Sequence, residues 1–331
     1  MPILDIDVEA IGGNTEAVAG LLRASALDLI AVTKGCLGEP RVAAAMLAGG
    51  AVALADTRDY NLRRLRAALP EVELHRIHLP SLEEEFEPGD INYVSSWAGA
   101  QAVAALGGRR KVMVQLETGD EREGVPLDDL PALVDRIIDD PGLEFVGVST
   151  NYACFKGTPG RIHASVEAIV AAAAALRGAG LTVPRVSGGN SSLLGLLAAG
   201  ERLPEAITEL RCGEALLLGH DALFYRPLPG CRTDGCRLRA EVVEEYTKRA
   251  GGRLARRLVL GVGRQDLSAG AVRFSEPGLS EVGRSGDYLV VEAGPEWQAV
   301  SLGTMIDMIP SYEALVAAWT SPYVDLRFRG L

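Results

Sequence analysis

The sequence is short of the residues from which several kinds of protein are built. Histidine occurs four times in 331 residues, at 75, 78, 163 and 220, and none stands near a cysteine pair at zinc-ligand spacing, so no metal centre is expected. Cysteine occurs five times, at 36, 154, 212, 231 and 236, an odd and scattered set that suits reduced thiols in a cytoplasmic protein rather than a disulfide framework. Cys231 and Cys236 share a short Pro/Gly-rich segment and read as loop thiols. Basic residues are outnumbered, 33 against 44 acidic, and the resulting charge of −11 argues against nucleic acid or an anionic membrane surface as a partner. Long apolar runs are missing as well. The alanine-rich stretch Ile169 to Leu176 is too short to span a bilayer, and the N-terminus lacks a basic region followed by an apolar core.

What is present describes an α/β enzyme: 48% hydrophobic residues, 23% charged and 38 glycines to serve many short turns. The chain is organised around Leu27-Asp28-Leu29-Ile30-Ala31-Val32-Thr33-Lys34-Gly35. An apolar run of this length reads as a strand buried on both faces, with Lys34 where the strand emerges. In a parallel α/β protein ligands bind at the carboxyl ends of the strands, where apolar walls would partly desolvate the ammonium. Such a lysine is a Schiff-base former toward a carbonyl substrate or pyridoxal phosphate; the plainer alternative is a solvated strand cap.

A strand over Ile3 to Val8 and a helix over Glu9 to Arg23 precede this stretch, and strand and helix then alternate. Strands are expected at Ala51 to Ala55, Glu73 to Leu79, Ile91 to Val94, Lys111 to Leu116, Phe145 to Val148 and Thr182 to Val186. The eighth falls near Thr208 to Leu210 or slides into Glu214 to Leu218. Eight β-then-α units in about two hundred residues predict a closed (β/α)8 barrel over residues 9–222. From Leu223 the character changes. Tyr225 to Gly230 reads as a linker, and strands at Leu238 to Glu244, Arg257 to Val262, Tyr288 to Glu292 and Trp297 to Leu302 make 223–331 a smaller β-rich domain closed by a helix over Tyr312 to Trp319. The strand within residues 1–8 is expected to join it.

Ser187-Gly188-Gly189-Asn190-Ser191-Ser192 follows the seventh barrel strand, with glycines that let backbone approach a ligand and hydroxyls at a helix start that favours an anion. Loops after the seventh and eighth strands of such a barrel commonly hold a phosphate, so Ser191 and Gly213 are candidates to clamp one. With the phosphate there and Lys34 on the aldehyde, the pyridine nitrogen of pyridoxal phosphate falls near Arg211. A guanidinium keeps its proton, which leaves that nitrogen unprotonated, a poorer electron sink suited to simple proton removal and return.

The chain resembles the fold type III pyridoxal-phosphate enzymes of the alanine racemase superfamily, and more closely the alanine/ornithine racemase branch. The resemblance rests on Ala31-Val32-Thr33-Lys34, Ala55-Asp56-Thr57-Arg58, Thr118-Gly119-Asp120-Glu121-Arg122-Glu123-Gly124, Thr150-Asn151-Tyr152-Ala153-Cys154, Ser187 to Ser192, Arg211-Cys212-Gly213-Glu214, Gly263-Arg264-Gln265-Asp266 and Thr320-Ser321-Pro322-Tyr323-Val324. It implies a pyridoxal 5′-phosphate enzyme acting on a small amino acid, and a homodimer whose β domains close each other's sites. Lys34 is then both the covalent anchor and one acid/base group, Arg211 faces the pyridine nitrogen, and Ser191 and Gly213 hold the phosphate, with Asn190, Ser192 and Glu214 in the same segments. Arg122 matches an arginine that orients the cofactor phenolate and substrate, and Asn151 stands where alanine racemases carry a histidine behind the pyridine-facing arginine.

Two-base racemisation needs a second group on the opposite face of Cα, which in alanine racemases is a tyrosine of the partner's β domain. The corresponding stretch, Glu244 to Arg257, is shortened here, and Tyr246 is its only phenol, with Tyr288 and Tyr323 in reserve. The expected activity is amino-acid racemisation, with ornithine or another basic amino acid as first substrate. A decarboxylase of the same fold type and a non-catalytic pyridoxal-phosphate carrier are the rivals, and Arg211 speaks against the former. His75 and His78 read as structural, His163 and His220 as solvated or capping, and Asp56 with Arg58 as an ion pair.

Overall fold

A computed structural model describes residues 1–83, 85–152, 159–250, 253–297 and 300–330, so Cys154 and the Ala153-Cys154 end of its motif lie outside the described residues. The chain divides into two compact units, one of residues 12–34 and 38–231, the other of residues 1–11, 35–37 and 232–331. Sixteen strands are described, beginning with β1 (Ile3–Asp7). The next eight are β2 (Asp28–Val32), β3 (Ala53–Asp56), β4 (Leu74–Arg76), β5 (Ile91–Val94), β6 (Arg110–Gln115), β7 (Leu143–Ser149), β8 (Arg185–Asn190) and β9 (Glu209–Cys212). They pair in parallel in sequence order and close through β2 on β9, with Ile30 opposite Arg211 and Ala31 opposite Cys212. The first unit is therefore the (β/α)8 barrel that the alternation predicts.

Its helices follow local chemistry. Pro40 occupies the first turn of helix Pro40–Ala48 behind the Glu39 cap, and Ser96 caps Trp97–Ala104 by accepting the Gly99 N–H. The interior is apolar on one side, where Ile30, Val32, Ala53 and Ala55 meet Ile77, and Ile91, Met113 and Val146 pack around Tyr93. On the other side it is polar. Arg185 and Ser187 on β8, and Glu209 and Arg211 on β9, alternate with apolar Val186 and Leu210 and so share one face of each strand.

Three strand boundaries differ from expectation. Ser187 to Asn190 belong to β8 itself, because Ser187 still pairs with Ser149 and Asn190 with Arg211. The eighth barrel strand ends at Cys212, and Glu214–Leu218 is a helix after Gly213. The third is short, three residues against the seven expected. The Tyr225 to Gly230 linker is folded back on Asp221, whose carboxylate accepts the N–H groups of Leu223, Phe224 and Arg226 at 2.7–2.9 Å.

The second unit is an antiparallel sheet with β10 (Cys236–Ala250), β11 (Arg253–Leu260), β12 (Val272–Phe274), β13 (Leu279–Arg284), β14 (Leu289–Ala293), β15 (Met305–Pro310) and β16 (Asp325–Arg329), in the order β12-β15-β10-β11-β14-β13. β10 changes partners along its 15 residues, pairing β15 and β1 with its first half and β11 with its second. β1 also pairs in parallel with β16, so the two ends of the chain are adjacent strands. Leu4, Ile6, Leu238, Leu258, Met308 and Leu315 are buried in this unit. The strand expected at Trp297 to Leu302 is absent at its start, since Pro295–Trp297 is a 3₁₀ turn, and the strand lies at β15 instead. β12, β13 and β16 are short strands outside the expected set. Among the described residues no helix is long and apolar enough to cross a membrane, and no group of His, Cys, Asp and Glu could hold a metal ion.

Gly147 marks a strained point of the barrel. It sits at φ +150° in β7 beside the irregular register against β6, and a Cβ there would lie 2.0 Å from the Arg185 carbonyl oxygen. Gly147→Ala is expected to cost about 3 kcal/mol in urea unfolding. Gly178→Ala, at an open helical position, raises stability by about 0.5 kcal/mol.

Candidate active site

The carboxyl ends of β2, β8 and β9 bring the expected residues to one mouth of the barrel. β2 hands the chain to Thr33, whose N–H donates to the Ala55 carbonyl at 2.9 Å and whose hydroxyl donates to Asp56 Oδ2 at 2.6 Å. Asp56 is fully buried and also accepts the backbone N–H groups of Thr57 and Arg58 and the Asn61 amide. The expected ion pair with Arg58 is not formed, because the contact is to the Arg58 main chain. Burial pushes the Asp56 carboxyl up, against the pull of these four hydrogen bonds. Asp56 thus fixes the residue just before Lys34.

Lys34 follows as an exposed side chain, so the desolvation expected from apolar walls is not met within one chain. Its charged neighbour is Glu214. Burial raises the Glu214 carboxyl to about 7, Asp221 adds to the rise, and the Lys34 charge opposes it. The two come together because β2 and β9 are paired, and at Gly213 a Cβ would lie 2.8 Å from the Val32 carbonyl oxygen, so only glycine lets the chains pass this closely.

The loop after β8 meets the loop after β9 here. Ser191 Oγ accepts the Ala215 N–H at 3.5 Å, and the Asn190 amide accepts the Ser192 N–H at 2.9 Å while donating to the Tyr152 carbonyl. Ser192 Oγ is buried with no hydrogen-bond partner among the described residues. The two glycines serve a different end from the one expected. A Cβ at Gly188 would strike Ile207, and one at Gly189, where φ is +130°, would lie 2.5 Å from the Tyr152 ring. They admit apolar packing behind the loop, and the hydroxyls alone are left for a ligand.

Deeper in the barrel Arg211 is 3% exposed. Its Nη1 donates to Ser187 Oγ at 2.5 Å, and its Nη2 donates to the Thr150 carbonyl at 2.6 Å and to Asn151 Oδ1 at 2.9 Å. Asn151 in turn donates to Glu123 Oε1 at 3.3 Å, and Glu123 pairs with Arg122, which also lies 3.7 Å from Asp120. A single chain of contacts therefore links Arg122, Glu123, Asn151 and Arg211. Tyr246 stands elsewhere, in the second unit. It is a mid-strand residue of β10 opposite Arg257 and 42% exposed, so the shortened stretch is a β10–β11 hairpin rather than a loop. Tyr288 and Tyr323 are also exposed.

Sequence reasoning missed Tyr93, a fully buried phenol in β5 whose ring lies 5.1 Å below the Arg211 guanidinium. Its only signal was a tyrosine inside a four-residue apolar strand.

A pyridoxal phosphate group fits these residues. The unpartnered Ser192 hydroxyl, the Ser191 hydroxyl and the tight passage at Gly213 suit a phosphate, and a buried cation with only neutral partners suits a ring nitrogen that accepts a hydrogen bond.

Residues 6–221 match the family described as alanine racemase, N-terminal domain. Two curated relatives align along nearly the whole chain. A lysine racemase of Thermotoga maritima is 28% identical over 98% of this chain and 97% of its own length, and an ornithine racemase of Acetoanaerobium sticklandii is 26% identical over 98% of each. Among solved structures, alanine racemase from Corynebacterium glutamicum superposes with a TM-score of 0.75 over 99% of both chains at 19% identity, a likeness of fold.

Glu214 gives the site a pH signature. A carboxyl held above its ordinary 4.5 is protonated more readily in the folded than in the unfolded chain, so its contribution is present at low pH and is lost as pH rises from 4.5 toward about 7. Urea stability of the wild type, taken relative to Glu214→Gln, is expected to fall across that window. A difference that stays flat there would remove the assignment.

Proposed function

The chain belongs to the alanine racemase family and is an amino-acid racemase, and we propose that it works with pyridoxal 5′-phosphate held at the mouth of the barrel. Enzymes of this family depend on that cofactor, and the observation that carries the reading here is the convergence of Lys34, the Ser191–Ser192 hydroxyls, Gly213 and Arg211 on the carboxyl ends of three barrel strands. Lys34 is the covalent anchor. Asn190, Ser191, Ser192, Gly213 and Glu214 form the phosphate end of the site, Arg211 with Asn151 behind it faces the ring nitrogen, and Arg122 lies on the side of the phenolate.

Bound there, the cofactor supplies an electron sink that acidifies the Cα–H of an attached amino acid. The protein's part is to place and move protons. Arg211 keeps its own, so it presents a donor and never an acceptor, which favours proton return over deeper electron withdrawal. Lys34 Nζ exchanges the Cα proton on one face. Tyr246 Oη, contributed by a second copy of the chain, exchanges it on the other, so that one proton is taken and one is given in each turnover. The homodimer with shared sites rests on the family resemblance and on the exposure of both Lys34 and Tyr246 in the single chain. A basic amino acid, lysine or ornithine, is the proposed substrate, supported by the two curated relatives that align end to end. The decarboxylase reading lacks an acidic residue at the position of Arg211.

The test is incubation of the loaded enzyme in D2O with L-lysine, L-ornithine or L-alanine, following the Cα proton by NMR and the product by chiral chromatography. Exchange with inversion is expected for a basic substrate. Lys34→Ala abolishes the visible cofactor band and the reaction, whereas Tyr246→Phe keeps the band and lowers racemisation by about 10²–10⁴-fold. Exchange with retention in the wild type would sink the two-base assignment, and loss of CO2 would favour the decarboxylase.

A further inference from the structure

Beneath Arg211 the barrel interior holds a second polar assembly that the reaction does not use. Glu73 immediately precedes β4, and Arg185 and Glu209 open β8 and β9, so all three lie at the amino-terminal mouth, opposite Lys34. Arg185 reaches Glu73 at 2.9 Å and Glu209 at 3.4 Å. It also lies 3.4 Å from His75 of β4. β4 and β8 stand on opposite sides of the barrel, so these contacts pass through its interior. His75 is fully buried, with Nε2 3.0 Å from Glu73 Oε1 and Nδ1 3.3 Å from the Tyr93 hydroxyl. The Tyr93 ring in turn lies 5.1 Å below the Arg211 guanidinium.

A carboxylate only accepts, so His75 Nε2 carries its hydrogen toward Glu73, and Nδ1 stands against the Tyr93 hydroxyl. The Tyr93 ring presents its face to the guanidinium, which donates separately to Ser187. Burial pushes the Tyr93 phenol up to about 12, so the chain does not break by ionisation, and Glu73 is drawn down to about 2, first by its hydrogen bond to His75.

Resting on the pyridoxal-phosphate reading above, we propose that Tyr93, His75 and Glu73 are positioning residues for Arg211, a ring face backed by a hydrogen-bond chain that answers its buried charge from the far mouth of the barrel. The alternative, a carboxylate placed against the guanidinium, would neutralise the charge offered to the ring nitrogen. Among the described residues none of the hydrogen-bond partners of Arg211 is a carboxylate. The charge is thus stabilised by polarised neutral groups in series and remains available above.

The test reads the ring nitrogen directly. Full-length enzyme loaded with ¹⁵N-labelled pyridoxal phosphate is compared by ¹⁵N NMR with Tyr93→Phe, Glu73→Gln and Leu74→Ala. Leu74 is the neighbour of His75 on the other face of β4 and lies outside the chain of contacts. Tyr93→Phe and Glu73→Gln are expected to move the nitrogen resonance toward that of a nitrogen without a donor, Tyr93→Phe more, and to speed cofactor release several-fold. Leu74→Ala loses stability and leaves the resonance in place. Because Glu73 is only half-buried and touches Arg185 and His75 rather than Arg211, an effect from it is one that a merely structural role would not produce. A wild-type resonance retained in folded, loaded Glu73→Gln would overturn the proposal. Failure of the wild type to take up cofactor, with no visible band, would instead overturn the functional reading on which it rests.

Discussion

A guanidinium cannot escape burial by losing its proton, so a fold that buries one must meet its donors or pay for the charge. Arg211 imposes that demand near the centre of a parallel barrel, where branched aliphatic side chains normally fill the layers. Its consequences reach five of the eight barrel strands. β8 supplies Ser187, the end of β7 supplies Thr150 and Asn151, β5 supplies the Tyr93 ring, and the polar residues of β4 and β9 answer these in turn. Among the described residues, apolar clusters form between β2 and β3 and among β5, β6 and β7.

The same demand sorts charge along the barrel axis. At the amino-terminal mouth Arg185 stands between Glu73 and Glu209, one cation shared by two carboxylates. In the middle stand neutral hydroxyls and a phenol. At the carboxyl-terminal mouth the groups are the ones a ligand can use: an exposed ammonium at Lys34, a buried hydroxyl without a partner at Ser192, and a carboxyl at Glu214 pushed toward neutrality. A carboxyl near neutrality repels a phosphate less than an ionised one, which reconciles Glu214 with the anion-binding end of the site.

Much of this was legible in the sequence, for physical reasons. Buried parallel strands are continuous apolar runs, so seven of the eight barrel strands were expected within a few residues of where they lie, and Lys34, one of only four lysines in the chain, was found at the end of the first. Arg211 and Ser191 could be placed because barrel position constrains what a loop can face. The misses have one origin. Ser187 to Asn190 looks like a loop by composition but is strand, since its glycines make room for Ile207 and Tyr152 from other elements, and no local pattern announces a tertiary contact. Tyr93 and His75 were unreadable for the same reason: across-barrel partners are set by closure, not by spacing. The antiparallel unit was seen only in outline, because half-exposed strands such as β13 and β16 carry few apolar residues to mark them.

The distribution of titratable groups separates the two tasks of the site. Every group that touches Arg211 holds its charge over the working range: a hydroxyl, a carbonyl, an amide that stands where the resemblance implies a histidine, and a phenol raised to about 12. These direct partners of Arg211 are therefore the same in acid and in weak base. Beside Lys34 the opposite holds, since Glu214 changes charge near 7 and is coupled to both Lys34 and Asp221. The charge beside Lys34 therefore responds to pH, while the groups that touch Arg211 do not. Asn151 belongs to this unchanging set, since its amide accepts from Arg211 and cannot itself gain or lose charge.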